Sequence, residues 1–203
     1  MTEIRLLLAD DQALVRGALA ALLDLESDLR VVAQVGRGDE VVEHARDAEV
    51  DVCLLDIEMP GADGIEAAEA LRRELPHVRS LIVTTFGRPG YLRRAIEAGA
   101  SGFVVKDTPA AELADAVRKV HAGLRVIDPT LATESLTTGQ NPLTEREQDV
   151  LRSALGGATV AVSASQVHLS PGTVRNYRSS AIGKTGAGTR AEAAQIAQRH
   201  GWL

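Results

Sequence analysis

Five polar residues in the first half of the chain each follow a short apolar run. They are Asp10, Asp11, Asp56, Thr84 and Lys106. Three carboxylates close together repel one another, so at least one pKa rises unless a cation compensates. Mg²⁺ prefers such oxygen ligands and keeps waters that a phosphate group can replace. With a lysine ammonium and a threonine hydroxyl to hold phosphoryl oxygens, the set predicts phosphoryl transfer to the carboxylate of Asp56.

A regular alternation of strands and helices must position these residues. Apolar runs typical of strands cover 4–9, 31–35, 52–55, 81–85 and 102–106. Helical patterns follow them at 12–25, 38–48, 64–74, 91–98 and from Pro109 to Gly123. Five such repeats predict an α/β fold, a doubly wound (βα)5 parallel sheet of order 2-1-3-4-5. The carboxyl ends of its strands form the ligand crevice, where the five polar residues would converge.

Each of these residues also has an ordinary structural explanation. An aspartate after a strand is often only the N-cap of the next helix, and a lone lysine there is usually a solvated charge. A threonine at a strand end commonly reflects β-propensity alone. Their joint occurrence at four strand ends favours the phosphoryl-transfer site.

Charge and composition divide the chain into two modules. Residues 1–125 hold 15 Lys and Arg against 22 Asp and Glu, net −7, whereas residues 141–203 hold 7 against 4, net +3. Between them, residues 125–140 show little periodicity. We therefore predict a first domain at 1–124, a linker at 125–140 and a helical domain at 141–203, with different partners for the two domains.

Composition also limits the compartment. The single cysteine, Cys53, lies in an apolar run and has no partner for an internal disulfide, which fits a reducing compartment. The N-terminus lacks a signal-peptide pattern, and no uncharged run reaches the ~18 residues of a membrane span. These features predict a cytoplasmic protein without a membrane partner.

One helix of the last domain has the pattern of a DNA-reading helix. Ser170 is placed to cap it and Pro171 to take its first position, while Thr144 and Glu147 form a capping box at an earlier helix. A buried stripe is predicted at Val174, Tyr177, Ala181 and Ile182. The other side is predicted to present Arg175, Asn176, Arg178 and Ser179. Arg and Asn match the edges of guanine and adenine in the major groove, and Thr173 and Lys184 are expected to reach phosphates.

The first-half motifs resemble the receiver domains of two-component response regulators. The resemblance rests on Asp10-Asp11, the run 56–61 with Asp63-Gly64, Thr84, and the run 103–106. It implies a flavodoxin/CheY-like fold in which Asp56 accepts phosphate from a sensor histidine kinase. It implies Mg²⁺ bound by Asp11, Asp56 and the main-chain carbonyl of Glu58, with Asp10 helping through water. It also implies that Thr84 turns toward the phosphate and that the Phe103 ring moves inward.

The last domain resembles the LuxR-type helix-turn-helix, so the whole chain resembles a NarL/FixJ-family response regulator. The motifs are Leu-Thr-x-Arg-Glu from 143, Ser-x-Gly-Thr-Val-Arg-Asn-Tyr from 170, Lys184 and Arg-Ala-Glu-Ala from 190. The sequence departs from the family at Phe103, where many receivers have Tyr. It departs also at Val162 and Ser163, where the family has Glu and Ile, and at Thr185, where it has Leu.

The family resemblance implies a transcriptional regulator rather than an enzyme. It implies that phosphorylation produces a homodimer that binds promoter DNA, and it allows a contact with RNA polymerase. We expect the dimer face on the fourth and fifth strand–helix units, where Thr84 and Phe103 lie. Residues 84–91 and the ending Gly201-Trp202 resemble DesR-type regulators, which implies membrane-lipid desaturation genes as targets.

Two other functions are compatible with the same residues. Because of the departures at Val162 and Ser163, one alternative is a receiver that acts through protein interactions and whose last domain no longer binds DNA. An aspartyl-phosphate phosphohydrolase would need an acid/base Asp two residues after the nucleophile, and Glu58 stands at that place. Promoter binding would separate the first alternative, and substantial turnover of a phosphate ester would support the second.

Overall fold

The computed structural model describes residues 3–85, 89–129, 131–132, 141–155 and 157–203. They fall into two compact units. The first has strands β1 (Ile4–Ala9), β2 (Leu29–Val35), β3 (Val52–Leu55), β4 (Arg79–Thr84), β5 (Gly102–Val105) and β6 (Val126–Ile127). Its helices are α1 (Ala13–Leu23), α2 (Val41–Asp47), α3 (Gly64–Glu74), α4 (Pro89–Ala98) and α5 (Ala110–His121).

The sheet confirms the predicted fold class and strand order. All pairings are parallel, in the order β2-β1-β3-β4-β5-β6. The sixth strand was not predicted: Val126 and Ile127 pair with Gly102 and Phe103, inside the segment assigned to the linker. A two-residue strand is too short to show a period of two in the sequence. Residues 130 and 133–140 of that predicted linker lie outside the described residues.

The receiver-like unit is held together by aliphatic packing, as a chain with only 2 % aromatic residues requires. One cluster joins the sheet to α1 and α5. Its members include Leu6, Leu8, Leu54, Val83, Leu113 and Val117. Fully buried strand residues of this kind explain why β3 reads as a continuous apolar run rather than an alternating one.

The second unit is all helical, with α6 (Glu145–Leu155), α7 (Val160–Gln166), α8 (Pro171–Thr185) and α9 (Arg190–Arg199). Helix α8 continues through Gly183 and is capped at its C-terminus by Gly186, which has φ +66°. Glycine adopts this left-handed conformation at little cost, which makes it a common helix end. None of the described helices combines the length and apolar composition that a bilayer crossing requires.

Candidate functional site

The register of β1 and β3 brings the buried aspartates together at the rim of the sheet. Ala9 pairs with Leu55, and the Asp56 amide donates to the Ala9 carbonyl over 2.8 Å. Asp10 and Asp56 are 3 % and 4 % exposed, while Asp11 is exposed. One carboxylate oxygen from each lies within 4.8 Å of the others. The three aspartates therefore form one cluster, here called the acidic cluster.

Lys106, directly after β5, bridges two members of this cluster. Its Nζ lies 2.7 Å from Asp10 Oδ2 and 2.9 Å from Asp56 Oδ2. Burial opposes the lysine charge, but the hydrogen bonds to Asp10 and Asp56 outweigh it and raise the pKa of Lys106. Burial also raises the pKa of Asp56, and the neighbouring Asp10 charge adds to the rise although Lys106 opposes it. The ammonium thus holds two carboxylates that would otherwise repel one another.

Capping does not account for the aspartates of the first strand. Helix α1 begins after Gln12, whose side chain makes no capping hydrogen bond. Asp10 Oδ1 accepts a hydrogen bond from the Gln12 amide within the connecting turn, while Oδ2 faces Lys106. Arg16 of α1 donates to the Asp10 main-chain carbonyl and ties the helix to the turn.

An open pocket of about 70 Å³ lies beside the acidic cluster. Every residue that lines it has a polar side chain: Asp11, Gln12, Asp56, Glu58, Thr84 and Thr85. A cavity of this size has space for more than one water-sized group. Thr84, the last residue of β4, is 4 % exposed, and the Phe103 ring on β5 is 1 % exposed. The predicted switch residues therefore lie on adjacent strands, with the phenyl ring packed inside the protein.

Two residues, Asp63 and Gly64, fix the conformation of the loop between Asp56 and α3. A Cβ at Gly64 would overlap the main-chain carbonyl oxygen of Asp56. Asp63 caps α3 by accepting from the amides of Ile65 and Glu66, and Glu66 closes a capping box on the Asp63 amide. The Asp-x-x-Glu spacing is visible in the sequence and would have predicted this cap. Arg94 of α4 also donates to Asp63 over 3.2 Å.

Helix α8 in the second unit presents most of its predicted polar face to solvent. Ser170 caps it by accepting from the Thr173 amide over 3.1 Å, with Pro171 in the first turn. Arg175, Asn176 and Ser179 are exposed, and Thr173 is half-buried. The opposite side packs inward as predicted, with Val174 and Ala181 fully buried and Tyr177 and Ile182 partly so.

Arg178 is buried, so its predicted place on the exposed, base-reading face was wrong. It is 6 % exposed, and its Nη2 donates to Ser163 Oγ over 2.6 Å and to the Ala158 carbonyl over 3.3 Å. Position 178 lies four residues after Val174 and three before Ala181, on the stripe that faces the core. That spacing was a usable signal, which the charge of the side chain concealed.

Lys184 has a partner inside its own domain. Its Nζ lies 2.7 Å from Glu147 Oε2, and Glu147 is 3 % exposed. The same carboxylate accepts from Ser180 Oγ over 2.7 Å and from the Thr144 amide over 2.6 Å. Burial opposes its charge, but these hydrogen bonds outweigh it and lower the pKa of Glu147 to about 2. The ion pair ties α6 to α8, and any contact of Lys184 with a phosphate would compete with it.

Comparisons with known proteins identify both domains. Residues 6–118 match the model of the family "Response regulator receiver domain", and residues 141–197 match that of "Bacterial regulatory proteins, luxR family". The chain is a two-component response regulator of the NarL/FixJ family. It carries a receiver domain and a LuxR-type DNA-binding domain, and its relatives are transcriptional regulators.

The similarity extends over the full length of several relatives. This response regulator is 46 % identical to the uncharacterized transcriptional regulatory protein YvfU of Bacillus subtilis (strain 168), over 98 % of this chain and 100 % of the relative. It is 42 % identical to the transcriptional regulatory protein DesR of the same organism, over 98 % and 99 %. The crystal structure of response regulator ChrA, from a heme-sensing two-component system, aligns over 100 % of both chains with 30 % identity and a TM-score of 0.61.

One departure of this response regulator from its family has a structural explanation. Ser163, where the family has an apolar Ile, is fully buried and receives the Arg178 guanidinium. The small hydroxyl residue leaves room for the arginine and supplies an acceptor for its guanidinium. Of the segment 84–91 that resembles DesR-type regulators, residues 86–88 lie outside the described residues.

Proposed function

We propose that a sensor histidine kinase phosphorylates Asp56, and that phosphorylation promotes dimerisation and sequence-specific binding of promoter DNA. The observation that carries the proposal is the Lys106 bridge across Asp10 and Asp56, beside a polar pocket. We propose that 1–124 is the phosphoacceptor domain, 125–140 the linker and 141–203 the DNA-binding domain. A protein that binds promoter DNA works in the bacterial cytoplasm, which we propose as its location.

The charge of the acidic cluster supports a divalent cation. Three carboxylates and one ammonium leave two negative charges within a few ångströms. A Mg²⁺ ion would balance them and suits oxygen donors, so Asp10, Asp11, Asp56 and the Glu58 carbonyl are its proposed ligands. When bound, it would neutralise charge between the incoming phosphoryl group and the carboxylate.

The reaction we propose uses few protein groups. An Asp56 carboxylate oxygen attacks phosphorus, a new O–P bond forms, and the P–N bond of the kinase phosphohistidine breaks, with the electron pair leaving on the imidazole nitrogen. No general base is required, because a carboxylate carries no proton at neutral pH. The Lys106 ammonium and Thr84 hydroxyl donate to the phosphoryl oxygens. The role is that of a regulator: the acyl phosphate is a signal, and no substrate is turned over.

The output step depends on the surface near β4 and β5. The acyl phosphate adds about two negative charges beside Thr84. We propose that Thr84 and Phe103 convert this charge into a rearranged face of the fourth and fifth strand–helix units, which then dimerises. Two DNA-binding domains would read half-sites about one helical turn apart. Membrane-lipid desaturation genes stay the predicted targets, from sequence resemblance, and a contact with RNA polymerase is compatible with the role.

Base reading is proposed for the exposed residues of α8. Arg175 and Asn176 lie near its N-terminus, where a helix-turn-helix reads bases, and Ser179 follows one turn later. Thr173 is proposed to contact a phosphate. Their exposure, opposite the stripe of Val174 and Ala181, supports this assignment over that of a buried packing face.

The test uses the full chain with acetyl phosphate and MgCl₂, read by intact mass. Wild type should gain one phosphoryl group, Asp56→Asn should gain none, and Asp47→Asn, which removes an exposed carboxylate from α2, should behave as wild type. Excess EDTA should prevent the gain. Light scattering and genome-wide DNA binding with and without phosphodonor then report the output. If Asp56→Asn gains the phosphoryl group, or if wild type neither dimerises nor changes its DNA binding, the proposal fails.

A further inference from the structure

Two arginines of the DNA-binding domain converge on one backbone carbonyl. Arg178 Nη2 donates to the Ala158 oxygen over 3.3 Å, and Arg190 Nη1 donates to the same oxygen over 3.1 Å. Ala158 lies in the turn before α7, Arg178 is on α8 and Arg190 opens α9. Three separate segments therefore place two like charges at one point, called here the arginine pair.

Within the described residues, the arginine pair has no counter-charge. Among the residues that the structure describes, no carboxylate lies within ion-pair distance of either guanidinium. Arg178 is 94 % buried, with 6 % exposed, and its Nε is buried without a hydrogen-bond partner. Burial lowers the pKa of Arg178, and the charge of Arg190 adds to the effect. A buried cation without a counter-charge destabilises a fold, so a bound anion would relieve both the desolvation of Arg178 and the repulsion between the two arginines.

The two arginines differ in access. Arg190 is exposed, whereas Arg178 lies inside, held by Ser163 and Ala158. A planar guanidinium with several donors suits the oxygens of a phosphate group. Because the pair lies in the same helix-turn-helix domain as Arg175 and Asn176, a backbone phosphate of bound DNA is the anion that we expect it to meet.

We infer that the arginine pair is a phosphate site, in which Arg190 contacts a DNA backbone phosphate and Arg178 acts behind it as a positioning residue. The inference rests on the proposed DNA binding and adds to it a sequence-independent contact outside the exposed face of α8. Arg178, which cannot reach a base, thereby has a role in binding that its burial alone does not suggest.

The experiment measures how the affinity of the full chain for a short random-sequence duplex varies with NaCl. Each phosphate contact contributes about 0.9 to the slope of log affinity against log salt. Arg190→Ala should reduce the slope by about one such unit and weaken binding roughly five- to tenfold at ~0.1 M salt. Arg146→Ala is the control, since it removes another exposed cation from the same domain, on α6.

A second variant separates positioning from packing. Arg178→Met keeps an unbranched stem and removes the buried charge, so the domain should be as stable as wild type or more so. The slope of log affinity against log salt should nevertheless be smaller for Arg178→Met than for wild type. A purely structural guanidinium would give the reverse, with a lower Tm and an unchanged slope, and would overturn the role of Arg178.

A third arm distinguishes free anions from DNA. Sodium phosphate, compared with NaCl at matched ionic strength, should raise the Tm of wild type more than that of Arg190→Ala. Suppose that phosphate no longer raises the Tm of Arg190→Ala, but that its affinity for DNA varies with salt as in wild type. The pair then binds free phosphate, and the proposed DNA contact is wrong. If Arg190→Ala matches wild type in both arms, there is no phosphate site. Failure of wild type to bind any duplex would instead refute the proposed function, and with it the DNA contact.

Discussion

The buried Glu147 of α6 should be a principal source of stability in the DNA-binding domain. It is 3 % exposed and accepts hydrogen bonds from Lys184, Ser180 and the Thr144 amide. Glu147→Gln keeps the shape of the side chain and removes its charge. The amide loses the ion pair with Lys184 and brings an NH₂ group where a carboxylate oxygen accepted. We therefore predict a large loss of stability from this single change.

The magnitude follows from the pKa of Glu147, which is lowered from 4.5 to about 2. At about 1.4 kcal/mol per pKa unit, this corresponds to roughly 3 kcal/mol of stabilisation at neutral pH. Because the folded pKa lies below the unfolded value, the stabilisation is complete above about pH 5 and is lost as the pH falls toward 2. Wild type should lose it across that window, and Glu147→Gln should lack it at every pH.

The single tryptophan makes the measurement specific to this domain. Trp202 is the only one in the chain, and it packs against the cluster that contains Leu143 and Leu151. Urea unfolding followed by its fluorescence therefore reports on the DNA-binding domain and not on the receiver. Glu145→Gln is the matched control, because it removes an exposed carboxylate from the first turn of the same helix.

Two results would refute the reasoning. One is a free energy of unfolding for Glu147→Gln within about 1 kcal/mol of Glu145→Gln at pH 7. The other is additivity in a double-mutant cycle with Lys184→Met, since partners in direct contact should show a coupling energy of about 0.5–3 kcal/mol.

Three further predictions concern the receiver. Asp63→Ala removes the capping box shared with Glu66 and should lower the free energy of unfolding by about 1–2 kcal/mol, measured by urea unfolding with circular dichroism; an unchanged midpoint would contradict the capping role. Gly64→Ala places a methyl group against the Asp56 carbonyl and should lower the free energy of unfolding by about 1–3 kcal/mol. A stability equal to that of wild type would show that the loop can move to accommodate the methyl group. Burial raises the pKa of Cys53, so a thiol reagent should label it only after urea unfolding, and rapid labelling of native protein would contradict its burial.

The sequence was sufficient for the strand order and for the acidic cluster. Continuous apolar runs such as 52–55 indicate strands covered on both faces, and the helical patterns between them leave few topologies. Once the order is known, Asp10 and Asp56 must lie on neighbouring strand ends. The caps at Ser170 and Thr144 were likewise predictable, because capping depends on residues three positions apart.

Other features depend on contacts between segments distant in the chain. Val126 and Ile127 are too short a run to indicate a strand, and only the β5 edge makes them one. Arg178 was predicted on the exposed face although its spacing from Val174 and Ala181 suits the buried one, and an arginine is tolerable there because Ser163 and Ala158 accept from it. Likewise the sequence does not indicate a partner for Lys184, and only the packing of α6 brings Glu147 within 2.7 Å of it.

The sequence by itself determined which residues have the chemistry and along which elements they lie, because periodicity and capping are local properties of the chain. The tertiary structure alone decided which charges are paired in the DNA-binding domain, because the partners of Arg178 and Lys184 come from other segments of the chain. Burial then sets the energy of those charges, and burial is a property of the packed fold rather than of any stretch of sequence.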